Sequence, residues 1–442
     1  MLNTVEHLLH RMHTLGATRF YVKKLSPNDN SKNQVYLGGH FSVLHVLPHG
    51  PIASDAQATP NSKRERAKAS LRWYWMTEHA CELAPNTQLV LYPKYPEVRL
   101  SGFLTGCRIA PKEVMTVRDE GRLLFFGIAQ DGRILAFACA ANTPIAREID
   151  SKTLSPHVGV LIELFVQGQD NSRAQLLEAL ARVHSMRWIA SQKLGQDGTA
   201  KPYIARNGGG YTLEAELGIA PNGHAEPDYL GWEVKQFAVN DFERFTPKSP
   251  VTLFTPEPTA GLYKQQGIVE FMRRFSYADK SGKADRVNFG GIYKAGHPAD
   301  HNTGLRLALV GFDASTRHIT DFANGGIVLL SQQDEVAAQW EFPSLLEHWN
   351  RKHAKAVYVP ALFQAEPPMY HYGPQVLLCE GTDFSMFLQG IAMGHIYYDP
   401  AIKIEGSPLE AGKVKRRSQF RTKHCHLNGL YTMAEWVELN TN

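Results

Sequence analysis

The sequence predicts two domains of different class, a mostly-β domain over residues 1–165 and an α/β (α+β) domain with a central mixed sheet over residues 166–442. Three observations predict this. A chain of 442 residues exceeds one ordinary core. Up to about residue 140, short apolar runs are separated by Pro, Gly, Asn and Asp clusters, the pattern of a barrel or sandwich. Past "REIDSKTLSPH" the period changes, and helical stretches alternate with strands.

In chain order, the expected strands of the first domain are "TRFYVKKL", "HFSVLHVL", "TQLVLYP", "RLLFFGIA" and "RILAFACA". The stretch "PIASDAQATPNSKRERAKAS" interrupts them as an exposed polar and basic loop that could lead into a short helix. Trp73 and Trp75 after it read as core, with Arg66, Lys68 and Arg72 on a solvated face. In the second domain "SRAQLLEALARVHSMRWIA" has helical spacing behind Ser172, a residue suited to cap it. Helices are expected at "YTLEAELGI", "LYKQQGIVEFMRRF", "PSLLEHWNRKH" and "FSMFLQGIAMG". Strands are expected at "LGWEVKQF", "LRLALVGF", "GGIVLL" and "KAVYVPALF".

Composition excludes little on its own. Lys and Arg number 47 against 43 Asp and Glu, a net +4 that is too mild to prove an anionic partner. The 5 cysteines are scattered and form no C-x-x-C pair, which points away from a disulfide scaffold or zinc ribbon. "MLNTVEHLLHRMH" breaks any signal-peptide pattern with Glu6 and histidines, and no run is long enough to span a membrane, so a cytoplasmic location is expected.

Chemistry concentrates in "YTLEAELGIAPNGHAEPDYLGWEVKQF". On a strand, Trp232 and Val234 alternate with Glu233 and Lys235, so both charges project from one face. Asp228 precedes that strand across a bend containing Gly231, and Glu214 lies on the helix before it. Carboxylate oxygens suit Mg²⁺, and a lysine beside the metal can orient water and stabilise its hydroxide form for attack on phosphorus. An E-x-K pair on an exposed strand is more commonly a solvated face, and Glu214 at a helix end can equally be a cap.

"GGGYTLEAELGI" followed by "PDYLGWEVK" resembles the MvaI/BcnI family of restriction endonucleases, relatives of the MutH mismatch-repair nickase that carry the PD-(D/E)xK nuclease core. Pro227-Asp228 and Glu233-x-Lys235 match that motif. The resemblance extends over "LLEALARVHSMRWIASQKLG", "FPSLLEHWNRKHAKAVYVPA" and "FLQGIAMGHIYYDPAIKI", most of residues 168–442. It implies that Asp228 and Glu233 bind Mg²⁺, that Lys235 helps activate the water, and that Glu214 is the extra helix carboxylate of the MutH branch. It further implies a double-stranded DNA substrate cut at a short GC-rich site of the CC-x-GG kind, 5′-phosphate and 3′-hydroxyl ends, and a monomer that nicks each strand in turn. A repair-type nickase and a non-catalytic DNA-binding protein are the rival readings.

Two further stretches carry candidate DNA contacts. In "KKLSPNDNSKNQ", Lys23 and Lys24 can pair with phosphates while Ser26, Asn28, Asn30, Asn33 and Gln34 suit base edges, although such a polar cluster is by default a turn. The stretch resembles the N-terminal effector domain of EcoRII-type restriction enzymes, a DNA-binding pseudobarrel whose two arms grip the major groove. That likeness makes it the first arm and "YPKYPEVRLSGF", with Lys94, Tyr95 and Arg99, the second, and implies that a second copy of the target is held there. Near the C-terminus, "KVKRRSQFRTKHCH" offers Arg416, Arg417, Gln419 and Arg421, read either as a recognition loop, as the family's "FR" pair at Phe420-Arg421 suggests, or as a surface charge run.

Overall fold

The computed structural model describes residues 2–55, 65–152, 158–165, 172–205, 207–220, 228–406 and 409–440. Its chain divides into two compact units, Met1–Asn171 and Ser172–Asn442.

The first unit is mostly β. A six-stranded sheet runs in the order Ile162–Leu164, Ala17–Lys24, Leu123–Ala129, Arg133–Cys139, Arg72–Met76, Cys81–Leu83. A five-stranded sheet runs Val35–Gly38, Glu97–Ser101, Gln88–Tyr92, Ala67–Ser70, Ala53–Ser54. Neighbours are antiparallel except Arg133–Cys139 beside Arg72–Met76, which run parallel. Helix Val5–Thr14, capped by the Thr4 hydroxyl on the His7 amide at 3.2 Å, buries Leu8, Leu9 and Met12 with Phe20, Val22, Phe125 and Leu135. Trp73 and Trp75 are core residues.

One expected strand is a helix instead. "HFSVLHVL" forms the 3₁₀ helix Phe41–His45, and Phe41, Leu44 and Leu47, three residues apart, are all buried. That spacing puts them on one 3₁₀ face, whereas alternation would have split them between two. The basic stretch after Pro51 continues into strand Ala67–Ser70 and not into a helix. Its residues 56–64, including Lys63 and Arg64, lie outside the described residues.

The second unit is built on a mixed sheet in the order Trp188–Ala190, Met369–Tyr372, Lys355–Gln364, Gln375–Glu380, Met433–Glu438. Strand Glu233–Ala238 lies parallel to Lys355–Gln364, with Lys235 opposite Tyr358. Helix Ser172–Ser185, which Ser172 opens as its first residue, packs Leu176, Leu180 and Val183 against this sheet with Leu213, Trp232, Val357 and Val376. Helices Gly208–Glu216, Gly267–Phe275, Phe342–Lys352 and Phe384–Ala392 and strands Arg306–Val310 and Gly326–Leu330 form where the periodicity predicts them. Among the described residues no helix is long and apolar enough to cross a membrane. All five cysteines are free.

Candidate active site

Helix Gly208–Glu216 and strand Glu233–Ala238 approach closely because their contact lacks side-chain bulk. A β-carbon on Gly209 would stand 2.6 Å from Gln236 Oε1 and 3.0 Å from Tyr370 Cε1. The Tyr372 hydroxyl donates to the Gly209 carbonyl at 2.7 Å and fixes that approach. Glycine at this position therefore sets the distance between Glu214 on the helix and the charged residues of the strand.

On the strand, Glu233, Lys235 and Phe237 share one face. Lys235 Nζ donates to Glu233 Oε1 at 2.8 Å. Glu233 is 3% exposed, which removes the reading of these residues as a solvated face. Asp228 Oδ2 accepts the Val234 amide at 3.0 Å, tying the bend to the strand and its carboxylate to the same site. Pro227 lies outside the described residues.

Glu214 completes the cluster electrostatically. Burial, then the charges of Asp228 and Glu233, push its carboxyl up to about 7, against the opposing pull of Lys235 and Lys193. The four predicted residues thus share one electrostatic neighbourhood. Lys193 had no signal in the sequence. It reaches the site through the pairing of Gln192–Leu194 with Ala200–Pro202, and its ammonium lies 4.6 Å from the Tyr211 ring centroid.

The donor set fits Mg²⁺. Among the described residues no three His, Cys, Asp or Glu side chains stand ready to share one ion. Two hard carboxylates, Asp228 and Glu233, are what Mg²⁺ ordinarily takes from a protein, with waters and substrate phosphate completing its shell. Burial first, and then the carboxylates of Asp228 and Glu233, raise Glu214, and a cation would relieve that charge crowding.

Aromatic side chains pack beside the charged residues. His424 packs its ring 4.2 Å from that of Phe237, and burial pulls its pKa down to about 4. Behind it the Tyr358 and Tyr431 hydroxyls are 3.1 Å apart, and His353 Nδ1 lies 3.2 Å from Tyr431. None of these was legible as a motif.

The first unit divides its predicted DNA contacts into two groups. Lys23 and Asn30 are buried. Lys23 pairs with Asp29 at 2.9 Å, and Asn30 Oδ1 accepts the amides of Lys32 and Asn33 at 3.0 and 3.1 Å. These two build the turn and turn away from solvent, as the ordinary-turn reading of a polar cluster has it. Lys24, Ser26 and Asn28 are exposed, with Asn33 and Gln34 half-buried. The two candidate arms meet: Val35–Gly38 pairs with Glu97–Ser101, Arg99 donates to the Asn33 carbonyl at 3.2 Å, and the Tyr92 hydroxyl donates to Gln34 Oε1 at 3.4 Å. Tyr95 is exposed at the tip of the second arm, whereas Lys94 is half-buried, 3.8 Å from Glu65.

The C-terminal run is likewise split. Arg416 and Arg417 are exposed. Gln419 is buried within hydrogen-bond reach of Thr252 at 3.4 Å, and Arg421 is held by Asp399 at 2.7 Å and the Pro250 carbonyl at 2.8 Å. The last two brace strand Phe420–Thr422 in the fold, because Phe420 between them is a core residue.

The model of the MvaI/BcnI restriction endonuclease family matches residues 177–431, more than half of the chain. No curated protein matches it. Among solved structures, a restriction endonuclease MvaI–cognate DNA substrate complex is similar at 18% identity and a TM-score of 0.46, covering 62% of this chain and 100% of that one. Restriction endonuclease MvaI in the absence of DNA is similar at 18% identity and a TM-score of 0.35, covering 61% and 99%.

Proposed function

The chain belongs to the MvaI/BcnI restriction endonuclease family, and from that premise we propose that it is a type II, Mg²⁺-dependent endonuclease that hydrolyses double-stranded DNA at a short GC-rich site of the CC-x-GG kind. The observation that carries this reading is the pair of buried Glu233 and half-buried Lys235, 2.8 Å apart, with Asp228 tied to the same strand.

In this reading Asp228 and Glu233 would hold Mg²⁺ through their carboxylates, and Glu214 on the helix stands beside them as an extra carboxylate outside the ligand pair. When bound, the ion supplies Lewis acidity to a phosphoryl oxygen and acidifies water. Lys235 holds the attacking water, favours its hydroxide form and shields the negative charge that grows on phosphorus. The water oxygen forms the new bond to phosphorus, the bond to the 3′ oxygen breaks, and that oxygen takes a proton. The products are a 5′-phosphate and a 3′-hydroxyl.

The first unit is proposed as an effector-type DNA-binding pseudobarrel. Lys24, Ser26, Asn28, Asn33 and Gln34 supply one arm, Tyr95 and Arg99 the other, and a second copy of the target occupies it. Contacts by Arg416 and Arg417 belong to the catalytic unit. The protein works as a monomer whose single site nicks one strand and then the other.

The test is digestion of plasmid DNA with Mg²⁺ followed by sequencing of the ends. Discrete double-strand cuts at one short motif support the reading. Nicks confined to one strand point to a repair-type enzyme, and binding without cleavage to a non-catalytic DNA-binding protein.

A further inference from the structure

Strands Ile396–Tyr398 and Phe420–Thr422 pair antiparallel with Ile396 opposite Thr422, and the Thr422 hydroxyl donates to the His395 carbonyl at 2.9 Å. The chain then turns into the 3₁₀ helix His424–Leu430. This geometry brings His395, just before one strand, against His426, just after the other. Their rings stack with centroids 3.9 Å apart and planes 9° apart.

Every charged neighbour that acts on His426 is cationic or becomes so. Burial, then His395, Lys423 and Lys294, hold it below the ordinary histidine range. A β-carbon on Gly394 would stand 3.7 Å from Lys294 Cβ and 3.9 Å from His297 Cε1, so Lys294 and one further basic side chain, His297, lie over the loop that leads to His395. Lys423 and His297 are exposed, and His395, His426 and Lys294 are half-exposed. Gathering like charges costs energy in the free protein, and an anion removes that cost.

The cluster is tied through packed side chains to the strand of Glu233 and Lys235. His424, two residues before His426, packs on Phe237, which shares the strand face of Glu233 and Lys235. The segment that bears the ridge is thereby anchored to the strand that carries Glu233 and Lys235.

Resting on the nuclease reading above, we propose that Lys294, His395, Lys423 and His426 form a binding site for the phosphodiester backbone of the DNA duplex engaged at Glu233 and Lys235, the stacked imidazoles taking up a proton when the phosphate binds. Lysines supply fixed charge and the imidazoles a charge that the ligand induces, so binding through this ridge tightens as pH falls toward the histidine range. The contact is to the backbone and carries no base preference.

Plasmid cleavage by the wild-type protein tests the nuclease reading alone. The ridge is tested by anisotropy of a labelled duplex of about 30 base pairs, in EDTA, with wild type, the double variant K294A/K423A and the double variant H395Q/H426Q, each checked for an unchanged melting profile. For K294A/K423A the slope of log affinity against log salt becomes shallower by about 2, as expected for the loss of two phosphate contacts, and affinity weakens several-fold. For H395Q/H426Q the tightening that wild type shows between about pH 8 and about pH 6 is flattened. A K294A/K423A protein with wild-type affinity and salt slope overturns the site, and an H395Q/H426Q protein with the wild-type pH dependence overturns the imidazoles' part in it. Either result stands whether or not the plasmid is cut.

Discussion

Gly209 and Gln236 leave no room for a side chain between them: a β-carbon at residue 209 would stand 2.6 Å from Gln236 Oε1, with Tyr370 closing the other side at 3.0 Å. The helix that carries Glu214 is thereby set against the strand that carries Glu233 and Lys235. A Gly209→Val protein should fold with the helix displaced and lose cleavage by on the order of 10²-fold, as expected when catalytic groups move by about 1 Å. Single-turnover cleavage rates, compared with DNA affinity, check this. A rate within twofold of wild type would mean that the spacing is not required.

Lys23 and Asp29 form a buried pair that organises the first candidate arm. Asp29 also accepts the Tyr36 amide at 2.7 Å and the Ser26 amide at 2.9 Å. Burial raises its carboxyl, but Lys23 and these bonds outweigh that and hold it below the usual carboxylate range. Asp29→Ala strands a buried ammonium and should cost about 3–5 kcal/mol. By contrast the exposed Lys24–Asp150 pair, 2.6 Å apart, is worth about 0–1 kcal/mol, so Lys24→Ala should leave stability nearly unchanged. Urea denaturation of the two variants separates these cases.

The strand Glu233–Ala238 was legible in the sequence because the alternation of Trp232 and Val234 with Glu233 and Lys235 is a local, period-two signal. The helix bearing Glu214 was expected at "YTLEAELGI", and the structure starts it three residues earlier, on Gly208. Lys193, His424 and the Tyr358–Tyr431–His353 cluster were not legible: Lys193 sits on a local hairpin brought to the helix by the Gln192–Thr212 bond, and the others reach the site through packing distant in sequence. Side-chain direction was the other blind spot. Lys23, Asn30, Gln419 and Arg421 look like DNA contacts by type, and only the folded turn and strand reveal that Lys23 and Asn30 serve internal partners and that Gln419 is buried and Arg421 held by Asp399.

Glu214 supplies a pH signature. Its carboxyl sits at about 7, above the ordinary glutamate value near 4.5, so the folded state binds more protons than the unfolded chain between those values. Its contribution is fully present below the unfolded value and is lost as pH rises through 7. Without divalent metal, Glu214→Gln should therefore melt higher than wild type at about pH 8, by about 2–4 °C per kcal/mol relieved, with the gap closing toward pH 4. Calorimetry across that range checks it. A constant gap at every pH would exclude titration of Glu214 as its cause.

The most direct measurement is cleavage by a Glu233→Gln protein, which keeps the shape of the side chain and removes its charge. With Mg²⁺ and plasmid DNA, the account predicts that this variant binds DNA as wild type does while its single-turnover cleavage falls on the order of 10²-fold or more. Cleavage at the wild-type rate, with the same ends, would contradict the assignment of Glu233 and the site built around it.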